Sequence, residues 1–159
     1  MKKSIVVYFS ASGITAKIAN RLAKAIQADT FEIKPQIPYT TEDLNWTDKN
    51  SRSSVEMRDR SFRPVLAEAV PNLKKYDVVF VGFPIWWYRE PSIIDTFIEA
   101  GQLDGKIIVP FATSGGSGLG ETVQNLQTLA PQALVKNGRR FETNTSAEEL
   151  ETWAKEYIS

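Results

Sequence analysis

Hydrophobic positions along the chain switch between two rhythms, unbroken apolar runs and stripes that recur every three to four residues. The run Ile5-Val6-Val7-Tyr8-Phe9 predicts a strand over 3–9, apolar on both faces as a central parallel strand covered by helices must be. Ile14, Ile18, Leu22 and Ile26 then form one stripe and predict a helix over 13–28, with Lys17, Arg21 and Lys24 left to water. Thr30-Phe31-Glu32-Ile33 alternates and reads as a more peripheral strand, ended by Pro35 and Pro38. A third strand is predicted over 76–83 with a helix over 92–99, and a fourth over 106–112 with a helix over 119–129. A weaker strand over 133–141 is interrupted at Asn137-Gly138. Ser146 and Glu149 make a capping box for a last helix, whose buried stripe is Leu150, Trp153, Ala154, Tyr157 and Ile158.

Residues 39–75 carry no clear rhythm. A helix is conceivable over 43–57 with Thr41 as its cap, and Trp46 reads as an anchor onto the core. Arg52, Arg58, Arg60 and Arg63 alternate there with acidic residues, a pattern that suits either a solvated face or a lid or partner surface.

Strands alternating with helices imply an α/β fold, a three-layer α/β/α sandwich around a five-stranded parallel sheet. In such sheets ligands sit beyond the carboxyl ends of the strands, where the winding reverses.

Composition narrows the chemistry. The chain has 159 residues, 42% hydrophobic and 24% charged, as an ordinary globular domain does. Nineteen basic residues balance nineteen acidic ones, so no strong field draws nucleic acid. Cysteine and histidine are both absent, which removes thiolate catalysis, disulfides, zinc clusters and imidazole bases, and no metal site is expected. The apolar run after Met1-Lys2-Lys3 stops at Ser10, too short for a signal peptide, and no stretch could span a bilayer. A cytoplasmic location and no membrane partner are the expectation.

Three unusual loops follow three strands. Ser10-Ala11-Ser12-Gly13-Ile14-Thr15 joins the first strand to a helix, so unpaired amides and the helix dipole favour an anion there, with Ser10, Ser12 and Thr15 adding hydroxyls. Read without a ligand, the same stretch is an N-cap with Ser12 closing the helix. Pro84-Ile85-Trp86-Trp87 follows the third strand and offers indole faces to a flat ring. Two adjacent indoles on one extended segment cannot both point inward, so at least one of Trp86 and Trp87 faces the cleft. Thr113-Ser114-Gly115-Gly116-Ser117-Gly118 follows the fourth strand, and its amides are open to polar ring atoms. Together the loops suit a phosphorylated planar heteroaromatic molecule.

Other phosphate readers fail on residues. No Gly-x-x-x-x-Gly-Lys string occurs, and Gly116 and Gly118 are followed by Glu121 where a dinucleotide fingerprint needs glycine. The third strand ends in Phe83-Pro84, without the aspartate a receiver domain needs, and a low-molecular-weight phosphatase needs a cysteine.

On these loops the chain resembles the flavodoxin-like FMN-binding family, of the short-chain type with a Ser-Gly-Gly-Ser-Gly string, over essentially its full length. The resemblance implies one domain over 1–159 and strand order 2-1-3-4-5. It implies FMN as cofactor, with phosphate at Ser10, Ser12, Gly13, Ile14 and Thr15. The ring would lie against Pro84, Ile85, Trp86 and Trp87, and its pyrimidine edge on Thr113, Ser114, Gly115, Gly116 and Gly118. No catalytic side chain is implied. The function implied is an electron carrier to a partner protein; the alternative is an NAD(P)H oxidoreductase acting on a quinone or similar small acceptor, and a flavin-free binding module is a third reading. Two departures stand out: the chain is neutral where the family's carriers are acidic, and 84–91 lacks the glycine whose peptide turns over on one-electron reduction. Weak electrostatic docking and two-electron chemistry are the expectations that follow.

Overall fold

The computed structural model describes residues 1–114 and 116–159. Its elements run β1 (Ser4–Tyr8), α1 (Ile14–Ile26), β2 (Asp29–Glu32), α2 (Arg52–Arg58), β3 (Val78–Pro84), α3 (Ser92–Ala100), β4 (Ile107–Thr113), α4 (Thr122–Leu129), β5 (Leu134–Val135), β6 (Arg139–Phe141) and α5 (Ala147–Ile158). The strands form one parallel sheet in the order β2-β1-β3-β4-β5, with β6 also pairing β4. The predicted last strand is therefore two short pieces on one edge, broken where expected, and the sheet counts six strands instead of five.

Side chains leave a strand on alternate faces, and this sheet uses both for core. Ile5, Val7 and Phe9 join Val79, Val81 and Phe83 in one apolar layer with Ile94 and Phe97 of α3 and Leu126 of α4. Val6 and Tyr8 face the opposite way with Phe80 and Phe111, onto Ile18 and Leu22 of α1 and Trp153 of α5. The continuous apolar runs are legible for this reason: a strand buried on both faces has no polar position to interrupt it. No helix among the described residues is long and apolar enough to cross a membrane.

β1 lies between β2 and β3, so the chain leaves β1 one way across the sheet and leaves β3 the other way. That reversal brings the loops after β1 and β3 side by side. The registers Tyr8↔Gly82 and Pro84↔Thr113 place the ends of β1, β3 and β4 along one rim.

The helix considered over 43–57 is a correction. Only Arg52–Arg58 is helical, capped by Ser51, whose side chain accepts from the Ser54 amide; Thr41 caps nothing. The preceding residues are turns held by local bonds, such as the Asp43 amide to Thr40 Oγ1 at 3.1 Å and the Thr40 amide to Asp43 Oδ2 at 2.9 Å. Short polar side chains that satisfy the backbone locally compete with helix formation.

Candidate functional site

The loop after β1 wraps around its first serine. Ser10 Oγ accepts from the amides of Gly13 at 3.0 Å and Ala16 at 3.1 Å, and Gly13, at φ 92°, is the N-cap of α1. The capping role considered for Ser12 thus falls to Ser10 from further back, and Ser12 is exposed. Ser10 takes up one orphan amide of the helix start and one of the loop. The amides of Ser12, Ile14 and Thr15 have no protein acceptor among the described residues. This is a cradle of donors at the positive end of a helix dipole.

Thr15 looks the other way. Its hydroxyl and that of Thr113 share a hydrogen bond of 2.7 Å in a buried setting, which ties the loop after β1 to the end of β4. Ser114, next in the chain, bonds through Oγ to the Ser117 carbonyl, and its own carbonyl accepts from Arg140 Nη1 at 3.0 Å. Arg140 is thus a brace for this loop. Its neighbour Arg139 is paired with Glu149 at 2.6 Å. Gly116 and Gly118 are exposed, with open space where a Cβ would stand; Gly115 lies outside the described residues.

Pro84 ends β3, and the segment after it folds into a tight hairpin. The Trp86 amide donates to the Arg89 carbonyl at 3.0 Å and the Arg89 amide returns to Trp86 at 3.3 Å. Trp87 and Tyr88 at the tip both have positive φ, 48° and 65°. The tip is held from behind, since the Glu121 amide donates to the Tyr88 carbonyl at 3.0 Å. Of the two indoles, Trp86 points inward and packs edge-on against Phe9 and Tyr39, with ring centroids 5.6 and 5.3 Å apart. Trp87 is 40% exposed. Both indoles line the cleft beside this hairpin, Trp86 half-buried and Trp87 the more exposed.

Between these elements lies a cleft of about 420 Å³. Ile85, Trp86, Trp87 and Tyr88 form one side, and Ser117 enters from the loop after β4. Leu44, Trp46 and Ser53 supply a wall from the segment between β2 and β3. Trp46 is no core anchor: it is 74% exposed and stands on the cleft. These three residues were missed, and the single tryptophan in a polar stretch was the one signal that could have found them. In the Arg-rich stretch Arg58 and Arg60 are exposed, whereas Arg52 is half-buried. Arg52 lies 3.9 Å over the Tyr39 ring and pairs with Glu56 at 2.8 Å, while Tyr39 OH donates to the same carboxylate at 2.5 Å. Burial first, and then that carboxylate, push the Tyr39 phenol well above its ordinary value.

Behind the hairpin sits a buried charged cluster. Arg89 is 3.7 Å from Asp95 and donates to the Met57 carbonyl at 2.9 Å, which ties the hairpin to α2 and α3. Glu90 is 0% exposed, and Asn125 Nδ2 donates to both its oxygens at 3.3 and 3.4 Å. Burial, with Asp95 beside it, pushes the Glu90 carboxyl up to about 9, so it is neutral at pH 7. Among the described residues no cluster of acidic residues could hold a metal.

The flavodoxin family profile matches residues 3–157. A provisionally named flavoprotein of Bacteroides uniformis is 45% identical, with a TM-score of 0.91 over 97% of this chain and 98% of that one. Its counterpart from Bacteroides eggerthii is 44% identical, with a TM-score of 0.93 over 100% and 99%. A flavoprotein of Lactobacillus acidophilus, solved in complex with FMN, shares the fold at 21% identity and a TM-score of 0.71 over 97% and 99%. Among curated proteins none matches the chain.

Proposed function

The chain belongs to the flavodoxin family, and we propose that this rim binds FMN and that the protein is a cytoplasmic redox protein passing electrons to a partner protein. One observation carries the reading: a cradle of unpaired amides at a helix N-terminus shares its rim with a cleft walled by indoles, and the Thr15–Thr113 bond ties the cradle's loop to the end of β4, whose following loop lends Ser117 to the cleft. The residues fit the group. Amides of Ser12, Ile14 and Thr15 with the Ser12 hydroxyl match a phosphate, which needs donors and gains from the helix dipole. Trp87 offers a face to a flat ring, and the exposed backbone around Gly116 and Gly118 offers donors to its polar edge. When bound, FMN supplies the electron chemistry.

The chain's own residues then bind, orient and exclude water. Ser10 shapes the phosphate cradle, Arg140 fixes the loop at Ser114, and the Tyr39–Trp86–Phe9 packing sets the depth of the cleft. Trp87 and Tyr88, 40% and 73% exposed, put the ring side at the surface, where a partner protein can approach. With zero net charge, docking depends on these apolar faces more than on long-range attraction.

Leu44 and Trp46 favour a second reading, an FMN-dependent NAD(P)H oxidoreductase using a quinone or similar acceptor, because they give a second flat molecule an apolar surface beside the ring. Calorimetric titration with FMN tests the premise, with one-to-one binding expected and absence of heat refuting it. Rapid mixing of the FMN-loaded protein with NADPH separates the readings: inertness supports the carrier, and fast bleaching of the flavin supports the oxidoreductase.

A further inference from the structure

Three serines occupy the cap and first turn of α2, and two are fully accounted for. Ser51 Oγ accepts from the Ser54 amide and donates to Ser54 Oγ at 2.9 Å, while Ser54 Oγ donates to the Asp48 carbonyl at 2.8 Å. Ser53 differs. It is 1% exposed, and its hydroxyl has no partner among the described residues. An unpaired hydroxyl withdrawn from water destabilises a fold, so a position with a purely structural task would be better served by alanine. Ser53 is also a wall residue of the ring cleft.

The wall that carries it is firmly placed. The Ser53 amide donates to the Asp43 carbonyl at 3.0 Å, which joins α2 to the turn bearing Leu44 and Trp46. Glu56, one turn further along, accepts from Tyr39, whose ring packs on Trp86. Ser53 is therefore held in place relative to the indole at the base of the cleft, with only χ1 and the hydroxyl rotor free to turn.

Resting on the FMN reading above, we propose that Ser53 is a ligand-contacting residue whose hydroxyl bonds a nitrogen or oxygen on the polar edge of the isoalloxazine. The ligand supplies the partner that the protein withholds. The segment between β2 and β3 is then part of the binding site, and the unpaired hydroxyl is retained for the affinity and orientation it confers.

Ser53→Ala tests this through two readouts that a structural role would move together. Dissociation constants for FMN, measured by quenching of flavin fluorescence, should rise about 5- to 20-fold over wild type. The melting temperature of the apoprotein should stay level or rise, because an unpaired buried group has been removed. Ser51→Ala, which deletes the cap, should instead lower that melting temperature. Wild-type affinity in Ser53→Ala, or a lower apoprotein melting temperature, overturns the assignment. Failure of the wild type itself to bind FMN removes the reading beneath it and is seen in the same titration.

Discussion

Thr15 and Thr113, 98 residues apart, share a buried hydrogen bond of 2.7 Å between their hydroxyls. One sits at the start of α1 beside the anion cradle and the other at the end of β4, so the bond ties the loop after β1 to the strand end that leads into the loop after β4. Thr15→Val keeps the shape and leaves the Thr113 hydroxyl buried without its partner, at a cost of about 1–3 kcal/mol. Adding Thr113→Val removes the orphan and should recover most of the loss. Urea unfolding of the apoprotein across this double-mutant cycle measures the coupling, and additive single effects would contradict it.

Adjacent tryptophans should respond in opposite ways. Trp86 is packed against Phe9 and Tyr39, so Trp86→Ala opens a cavity and should lower apoprotein stability by about 2–4 kcal/mol. Trp87 has no such aromatic partners among the described residues and stands exposed. Trp87→Ala should leave stability within about 1 kcal/mol of wild type and weaken FMN binding. Paired denaturation and flavin titrations check the contrast, and equal losses of stability would refute it.

Strands buried on both faces were legible because burial leaves a run of apolar residues, as in Ile5–Phe9, and the three loops were legible because each follows such a run. What stayed hidden was the wall from 39–75. Leu44 and Trp46 come from turns whose backbone is satisfied by Thr40, Asp43 and Asn45, and such turns have no period to read. Ser53 looked like any serine, since the absence of a partner belongs to three-dimensional space. Arg140 could be seen as basic, but its bond to the Ser114 carbonyl depends on β6 lying beside β4, a pairing across a broken edge strand.

The hairpin tip should be improvable. Tyr88 holds φ 65° with little of its ring buried, and a residue with a Cβ in that region costs about 1–2 kcal/mol. Tyr88→Gly relieves this, and the greater freedom of glycine in the unfolded chain returns about 0.5–1 kcal/mol of it. A net gain of about 0.5–1 kcal/mol, a few degrees in melting temperature, is expected. The reverse holds at Gly120, where φ is 56° and a Cβ would stand 1.9 Å from the Tyr88 carbonyl oxygen. Gly120→Ala should cost about 2 kcal/mol or more and displace the hairpin. Differential scanning calorimetry of both variants decides, and a lower melting temperature in Tyr88→Gly would show that the tyrosine ring contributes more than its exposure suggests.

Stability should fall as pH rises from about 5 to 9, and Glu90 should be the reason. Asp95 Oδ1 is buried and has no hydrogen-bond partner among the described residues. Arg89 at 3.7 Å and Arg63 at 3.8 Å both approach Asp95 on the other oxygen. A protonated Glu90 carboxyl beside Asp95 can donate to it, with Asn125 bonded to the Glu90 oxygens. Arg63 also binds Glu99, and Arg60 binds Glu121, so the remaining charges around the pair are largely matched. Burial first, then Asp95, raises the folded-state value from 4.5 to about 9. Between those values the folded protein holds a proton that the unfolded chain has lost. The contribution is therefore fully present below about 4.5, declines through the window at up to about 1.4 kcal/mol per pH unit, and is gone above about 9. Glu90→Gln keeps a donor toward Asp95 and an acceptor for Asn125 without a titrating proton. Its stability at pH 8 should exceed wild type, with the slope reduced. Urea midpoints measured for both proteins from pH 5 to 9 test this, and parallel pH profiles would place the proton elsewhere.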